Sequence, residues 1–340
     1  MANINDIARE ANVSISTVSK VINDYPDVSE ATKKKVFKIM KKHNYIPNSV
    51  ARSLSTNRSQ LLGIFFNYNQ QPGIHNMFFQ EIIYGLERVL GKRGYDYVYF
   101  SEQRWQEEFQ SNYLGKCRDR MVDGVVMLGV EKNDSFFELI ESELPVVLID
   151  QPLKKKNTSY ISSDQKSGAR EAVKYLYEMG HRKIGMVTGP VDFPPVRDRI
   201  SGFENAAAEL NLTIKEKWMV EAISFREQRG KEAAGQILKL EELPEALFFH
   251  SDVMAIGALK KFREVGLKVP EDISIIGFDD IEMCNYISPR LTTVSQNTYK
   301  IGEKAAELLL DIILNPEEEH EPVTLPTELI VRDSVKEKEN

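Results

Sequence analysis

Two cysteines, Cys117 and Cys284, are all that 340 residues contain. That is too few for a disulfide scaffold and suits a reducing cytoplasm. No run of about 18 apolar residues occurs, and no apolar leader segment opens the sequence, so neither membrane spanning nor secretion is expected. Histidine is sparse too. His43, His75, His181, His250 and His320 are scattered, with no HExxH and no Cys/His pair at metal-ligand spacing. His181, in Met-Gly-His-Arg-Lys-Ile, reads as a structural turn before a strand. Also missing are a Walker loop, a Gly-x-Ser-x-Gly elbow and a dinucleotide glycine fingerprint. Gly63, Gly124 and Gly277 stand singly in strand patterns and read as packing glycines. The expectation is a non-enzyme with no cofactor and no metal.

A net basic charge is lacking as well, the total being −7. The total conceals a division. Residues 1–60 hold ten Lys and Arg against five Asp and Glu, a local charge of +5; the remaining 34 cations and 46 acids give −12. A basic head on an acidic body implies that only the head meets a polyanion. With 42% hydrophobic residues, a chain this long can bury more than one core, so a small module plus a larger body is expected.

The head is organised around Val13–Asn23. Ser14 is a good N-cap, and Ile15, Val18, Val21 and Ile22 recur at helical spacing. The opposite face carries Ser16, Thr17, Ser19 and Lys20, short donors and acceptors with one cation and no acid. Such a face can lie against base edges and phosphates, although a solvated surface helix would show the same pattern. Ile4, Ile7, Ala8 and Ala11 form a preceding apolar stripe, and Asn12 stands where a left-handed residue ends that helix. The tight turn between the two has helix-turn-helix spacing. A third helix follows Ser29, with Val36, Ile39 and Met40 inward and Lys33, Lys34, Lys35, Lys38, Lys41 and Lys42 outward. Pro47 ends that region. The connector 48–57 is a weak helix former, readable as a plain linker or as a conditional helix with Leu54 as a minor-groove wedge beside Arg52 or Asn48.

Asp6-Ile7-Ala8, Val13-Ser14 through Thr17-Val18-Ser19, Val28-Ser29, Asn44-Tyr45-Ile46-Pro47-Asn48 and Ala51-Arg52-Ser53-Leu54 together resemble the lactose-repressor (LacI/GalR) family of bacterial transcription regulators. The resemblance runs to about Arg332. It implies an all-α helix-turn-helix head over 1–47, a hinge helix over 48–58 and an α/β two-lobed periplasmic-binding-protein-like body over 59–333. That body would hold two parallel sheets flanked by helices, with a tail at 334–340. The N-lobe is expected at about 59–160 and 292–321, the C-lobe at about 161–291 and 322–333. The implied DNA-contacting set is Ser14, Ile15, Ser16, Thr17, Ser19, Lys20 and Asn23 on the head, with Asn48, Ala51, Arg52 and Leu54 on the hinge. Lys20 replaces the arginine common there and loses its bidentate fork for guanine.

From Leu61 onward, apolar runs alternate with helical patterns, which signals parallel α/β units. Ligands of such sheets bind beyond the C-terminal strand ends. Asp150, Asp252 and Asp279 fall at three such ends. Each could cap the next helix, but together they read as acceptors for vicinal hydroxyls. Arg197 and Arg199 stand in Arg-Asp-Arg-Ile-Ser-Gly-Phe, matching the family's Arg-x-x-Gly-Phe element. Arg199 is expected on a first helical turn, where a cation opposes the helix dipole and so points to a functional role. The resemblance adds Phe225, Phe78 and Phe79 as stacking aromatics and Gln296 as a further pocket residue. Ser251 departs from the asparagine that many members carry.

The tail lacks leucine heptads, so a dimer rather than a coiled-coil tetramer is expected. The implied function is a cytoplasmic, homodimeric, sequence-specific repressor of carbohydrate-utilisation genes, nucleoid-associated when bound to a pseudo-palindromic operator and released by a sugar or sugar derivative between the lobes. Alternatives are a corepressor-type or phosphoprotein-dependent catabolite regulator, and a soluble sugar-binding receptor with a vestigial head.

Overall fold

The computed structural model describes residues 2–22, 25–45, 58–66, 76–100, 112–129 and 133–338. The chain divides into two compact units, Met1–Gln60 and Leu61–Asn340. The expected hinge helix over 48–58 falls, apart from Arg58, outside the described residues.

The head contains three helices: α1 (Ile4–Ala11), α2 (Ile15–Ile22) and α3 (Glu30–Lys42). Each start is fixed by a short polar side chain that satisfies orphan amides. Asn3 accepts from the Asn5 and Asp6 amides at 2.9 and 3.2 Å, and the Asp6 carboxylate accepts from the Asn3 amide at 3.0 Å, closing a capping box. Ser14 Oγ accepts from Thr17 N at 3.0 Å and Ser29 Oγ from Thr32 N at 3.3 Å. Asn12 takes the left-handed conformation (φ 53°, ψ 50°) and turns the chain between α1 and α2. Ile7, Ala8, Ala11, Val18, Val21, Val36 and Met40 form the shared core.

The body has two lobes. Its first strands and helices are β1 (Leu61–Phe66), α4 (Met77–Lys92), β2 (Asp96–Phe100), α5 (Tyr113–Arg120), β3 (Gly124–Leu128), α6 (Asp134–Ile140), β4 (Val146–Ile149) and β5 (Thr158–Ser163). The second lobe runs through α7 (Gln165–Glu178), β6 (Ile184–Thr188), α8 (Pro194–Glu209), β7 (Met219–Glu221), α9 (Glu227–Ile237), β8 (Ala246–Phe249), α10 (Asp252–Glu264), β9 (Ser274–Asp279) and β10 (Thr292–Ser295). The chain then returns through α11 (Thr298–Leu314) and β11 (Val323–Leu325) and ends with β12 (Glu328–Ile330). The sheets are ordered β11-β5-β4-β3-β1-β2 and β12-β10-β9-β8-β6-β7. Every pairing is parallel except β10 with β12. Strands such as Val146–Ile149 and Ala246–Phe249 are buried throughout, as expected for sheets covered on both faces.

The crossings between lobes correct the expected boundaries. β5 stays in the first sheet to Ser163, β10 belongs to the second sheet, and β11 belongs to the first. The chain therefore crosses after Ser163, after Ser295 and after Leu325, rather than at 160, 291 and 321. Ladder pairing, which is non-local, decides sheet membership, and apolar pattern does not report it.

Close helix packing closes each lobe. A Cβ on Gly302 of α11 would stand 1.9 Å from Ile82 O of α4, and one on Gly85 of α4 would stand 2.1 Å from Tyr299 O. The two backbones thus meet at a contact that only glycine permits. Gly302→Ala should force them apart and lower stability by about 1–3 kcal/mol through overpacking; an unchanged denaturation midpoint would show that the helices separate without cost.

Candidate DNA-contacting head and ligand cleft

On α2, Ile15 is 48% exposed, and Ser14, Ser16 and Lys20 are exposed while Thr17 and Ser19 are half-buried. Ser14 Oγ lies 2.7 Å from Ser16 Oγ and 2.8 Å from Thr17 Oγ1, so the three hydroxyls form one cluster at the helix start. Asp27, from the loop after α2, pairs with Lys20 and brings an acid to a face that the helix's own sequence left without one. Such an exposed pair is screened by water and salt and contributes little. Lys34, Lys35, Lys38 and Lys41 are exposed along α3, whereas Lys42 and His43 pair with Glu10 of α1 and Lys33 with Glu30. Asn23, Asn48, Ala51, Arg52 and Leu54 lie outside the described residues.

The body carries a cleft beyond the C-terminal strand ends, with about 780 Å³ of space, part of it open to solvent. Asn76, Phe78, Phe79, Gly129, Ile149 and Asp150 line it from the first lobe; Phe193, Pro195, Arg199, Phe225, His250, Ser251, Val253 and Asp279 line it from the second. Asp150 follows β4 and Asp279 ends β9, and these strands hold equivalent places in the two sheets. Both acids have positive φ, 59° and 121°. That conformation is costly for a side-chain-bearing residue, so the surrounding contacts must hold it. The Phe225 ring rests on Gly189, where an added Cβ would stand 2.3 Å from Cε1.

Arg199 is the centre of the floor. Its Nε donates to Gln165 Oε1 at 2.8 Å, its Nη1 donates to the His250 carbonyl, and Nη2 stands 3.9 Å from Asp279 Oδ1. The guanidinium also lies over the Phe278 ring, 3.8 Å from its centroid. Only 4% of the residue is exposed. Burial opposes its charge, and Asp279, Asp150 and Asp252 offset that in this order. Burial pushes the Asp150 carboxyl up to about 6, with Arg199 opposing, and it raises the Asp279 carboxyl well above the usual range, again against Arg199. His250 is driven the other way by burial and by Arg199, which keeps its imidazole neutral. Its Nε2 faces Met186 Sδ at 3.1 Å, and its Nδ1 has no partner among the described residues.

The sequence-derived set divides. Phe78, Phe79, Asp150, Arg199, Phe225 and Asp279 meet at the cleft. Three expected residues do not line it. Arg197 turns outward and donates to the Val191 and Asp192 carbonyls at 3.3 and 2.8 Å. Asp252 is wholly buried behind the floor, where it accepts from Ile281 N at 2.9 Å and from the Thr293 hydroxyl. Gln296, also wholly buried, donates to Asp279 Oδ1 at 2.7 Å, so it supports the acid from beneath. None of the three acids caps a helix: Ser251 Oγ caps α10 by accepting from Met254 N at 3.2 Å. Arg199 is not on a first turn either. α8 begins at Pro194, so the dipole argument fails, and burial is what singles out Arg199. Phe193, Pro195, His250 and Gln165 escaped the sequence reading. The Pro194-Pro195 pair was the available signal, since proline favours the first helical positions.

These shifts have a pH consequence. The Asp150 carboxyl titrates near 6 in the fold against 3.8 in an open chain, so the folded state binds the proton more tightly. Its stabilising contribution is present below about pH 4 and is lost as pH rises through 6. Asp150→Asn should remove that loss. The variant should gain about 1 kcal/mol on the wild type between pH 4.5 and 7, which is less than a full shift of this size would give. Melting curves with parallel pH dependence would contradict the assignment.

Residues 3–48 match a family model described as bacterial regulatory proteins, lacI family, and residues 173–335 match a periplasmic binding protein-like domain. The HTH-type transcriptional repressor PurR of Aliivibrio salmonicida (strain LFI1238) is 36% identical over 337 residues, covering 98% of this chain and 99% of that protein. The lac repressor dimer bound to operator and the anti-inducer ONPF superimposes with a TM-score of 0.80 at 25% identity, over 98% of this chain and 99% of that one. A complex of the transcriptional regulator CelR with cellobiose gives 0.71 at 29% identity, over 98% and 100%.

Proposed function

This chain belongs to the lacI family of bacterial regulatory proteins, a DNA-binding transcriptional repressor with an effector-binding body, and on that premise we propose that its effector is a sugar or a close hydroxyl-rich relative. The observation that carries this is the lining of the cleft, where Asp150, Asp279 and Arg199 are gathered with Phe79 and Phe225. Carboxylates accept paired hydrogen bonds from neighbouring hydroxyls, a guanidinium donates to ring and hydroxyl oxygens, and aromatic faces cover the C–H faces of a pyranose or furanose. The solved CelR structure holds cellobiose, which supports the same chemistry here.

In this reading the chain acts in the cytoplasm as a homodimer, with two heads on the half-sites of a pseudo-palindromic operator. The hydroxyl cluster of α2, Ile15 and Lys20 read bases in the major groove, and the α3 lysines hold phosphates. Effector and operator binding are linked by a coupling of about 1–3 kcal/mol. Phosphate contacts make the affinity fall log-linearly with salt. Replacing Lys34 and Lys35 by alanine should flatten that slope by about one unit for each phosphate that a lysine no longer neutralises; a slope equal to the wild type's would remove α3 from the phosphate backbone.

The effector reading is tested by thermal shift with ribose, xylose, glucose and cellobiose, followed by operator binding in the presence of whichever sugar stabilises the chain. Arg199→Met should abolish the stabilisation while operator affinity without sugar stays within a few-fold of the wild type. A retained shift would place the sugar elsewhere, and no shift with any carbohydrate would end the sugar reading. Removing residues 1–58 distinguishes a repressor from a receptor, because only the repressor loses a function, namely operator binding.

A further inference from the structure

Beneath the cleft, two buried glutamines connect its charged groups to the segments on which the chain passes between lobes. Gln165 opens α7 just after the first crossing, and Gln296 follows β10 at the second. They are 3% and 0% exposed. Arg199 Nε donates to Gln165 Oε1 at 2.8 Å, Gln165 Nε2 donates to Gln296 Oε1 at 2.7 Å, and Gln296 Nε2 donates to Asp279 Oδ1 at 2.7 Å. Gln165 Nε2 also stands 3.5 Å from Asp150 Oδ1, in the first lobe, and Ser163 Oγ donates to the Gln296 carbonyl at 3.3 Å.

The direction of these bonds is forced. A guanidinium can only donate, so Gln165 must turn its oxygen to Arg199 and its amide nitrogen to Gln296. Gln296 must then meet the Gln165 nitrogen with its oxygen, which leaves its own nitrogen to donate to Asp279 Oδ1, whatever the protonation of that carboxyl. The Arg199 guanidinium thus fixes Gln165, and Gln165 in turn fixes Gln296. Buried chains of this kind are mutually polarising, and an unpaired member costs more than an exposed one would.

We propose that Gln165 and Gln296 form a relay through which occupancy of the cleft is felt at both crossings, with Gln165 as the positioning residue that joins the two lobes. An effector that takes hydrogen bonds from Arg199 and gives them to Asp150 and Asp279 changes the demand at both ends of the chain. The crossing segments answer together because the amides cannot reverse independently. This inference rests on the reading of the cleft as an effector site. It adds the route by which that site reaches the backbone, which neither glutamine reveals by touching the effector.

The variant Gln165→Glu keeps an acceptor for Arg199 but loses the donor to Gln296; Gln165→Met loses both and serves if the buried acid prevents folding. Sugar affinity is measured by calorimetry on the full chain with the sugar of the thermal-shift panel that stabilises the wild type. Operator affinity is measured with and without that sugar at saturation. The wild-type ratio of the two operator affinities, about 5- to 150-fold for a coupled regulator, should collapse towards one in the variant, while sugar affinity changes by no more than a few-fold. An unchanged ratio, or one that falls only in step with weakened sugar binding, would overturn the relay. A second measurement needs no sugar. Amide hydrogen exchange in either variant should quicken at 297–301, the start of α11, as well as in the first turn of α7. Quickening confined to α7 would refute the proposal, even if no sugar in the panel binds and the effector reading itself falls.

Discussion

A guanidinium taken out of water sets the terms for the body of this protein. Leaving such a charge buried and unpaired is prohibitive. Arg199 is therefore surrounded by an amide oxygen, a main-chain carbonyl, an aromatic face and two carboxylates. Each of those partners stands where a strand or helix end delivers it. Asp150 and Asp279 come from equivalent strands of two sheets, the His250 carbonyl from the end of β8, and Gln165 from the first turn of α7. The charge could not be held by one lobe alone with the same partners, because Asp150 belongs to the other. The same burial drives the two acids towards the protonated form, against the pull of Arg199. A ligand that brings hydroxyl donors would reverse that drive.

Packing serves this placement. Parallel strands covered on both faces bring their C-terminal ends to one side of each sheet, and the two sheets present those ends to one cleft. The glycine contacts between α4 and α11 let the returning helix lie close against the first lobe before the chain ends in the second. Three crossings result. Two of them carry the glutamines that join Arg199 to Asp279, so the connections that define the lobes also touch the charged floor between them.

Much of this was legible beforehand where the signal is local. Asn12, Ser14 and Ser29 announce turns and caps by side-chain chemistry that acts within one turn of helix, and each acts as expected. Apolar runs such as Pro145–Ile149 and Ile184–Thr188 announce buried strands, because a strand covered on both faces needs no alternation. Asp150 and Asp279 were legible as strand-end acids. Asp252 carried the same pattern but turned to brace Ile281 and Thr293. No local rule separates an acid that faces a cleft from one that faces the back of a neighbouring strand.

The sequence by itself determined the basic helix-turn-helix head, the acidic α/β body and the family, since these rest on composition, periodicity and ordered motifs that short-range physics enforces. Tertiary structure alone decided which sheet claims β10 and β11, that Asp27 reaches Lys20, that His250 and Phe193 line the cleft with Arg199, and that Gln165 braces Arg199 from beneath. Those outcomes depend on ladder partners and buried charges more than a hundred residues apart in places, as with Gln165 and Gln296. A burial cost exists only once the chain has closed around the group that incurs it.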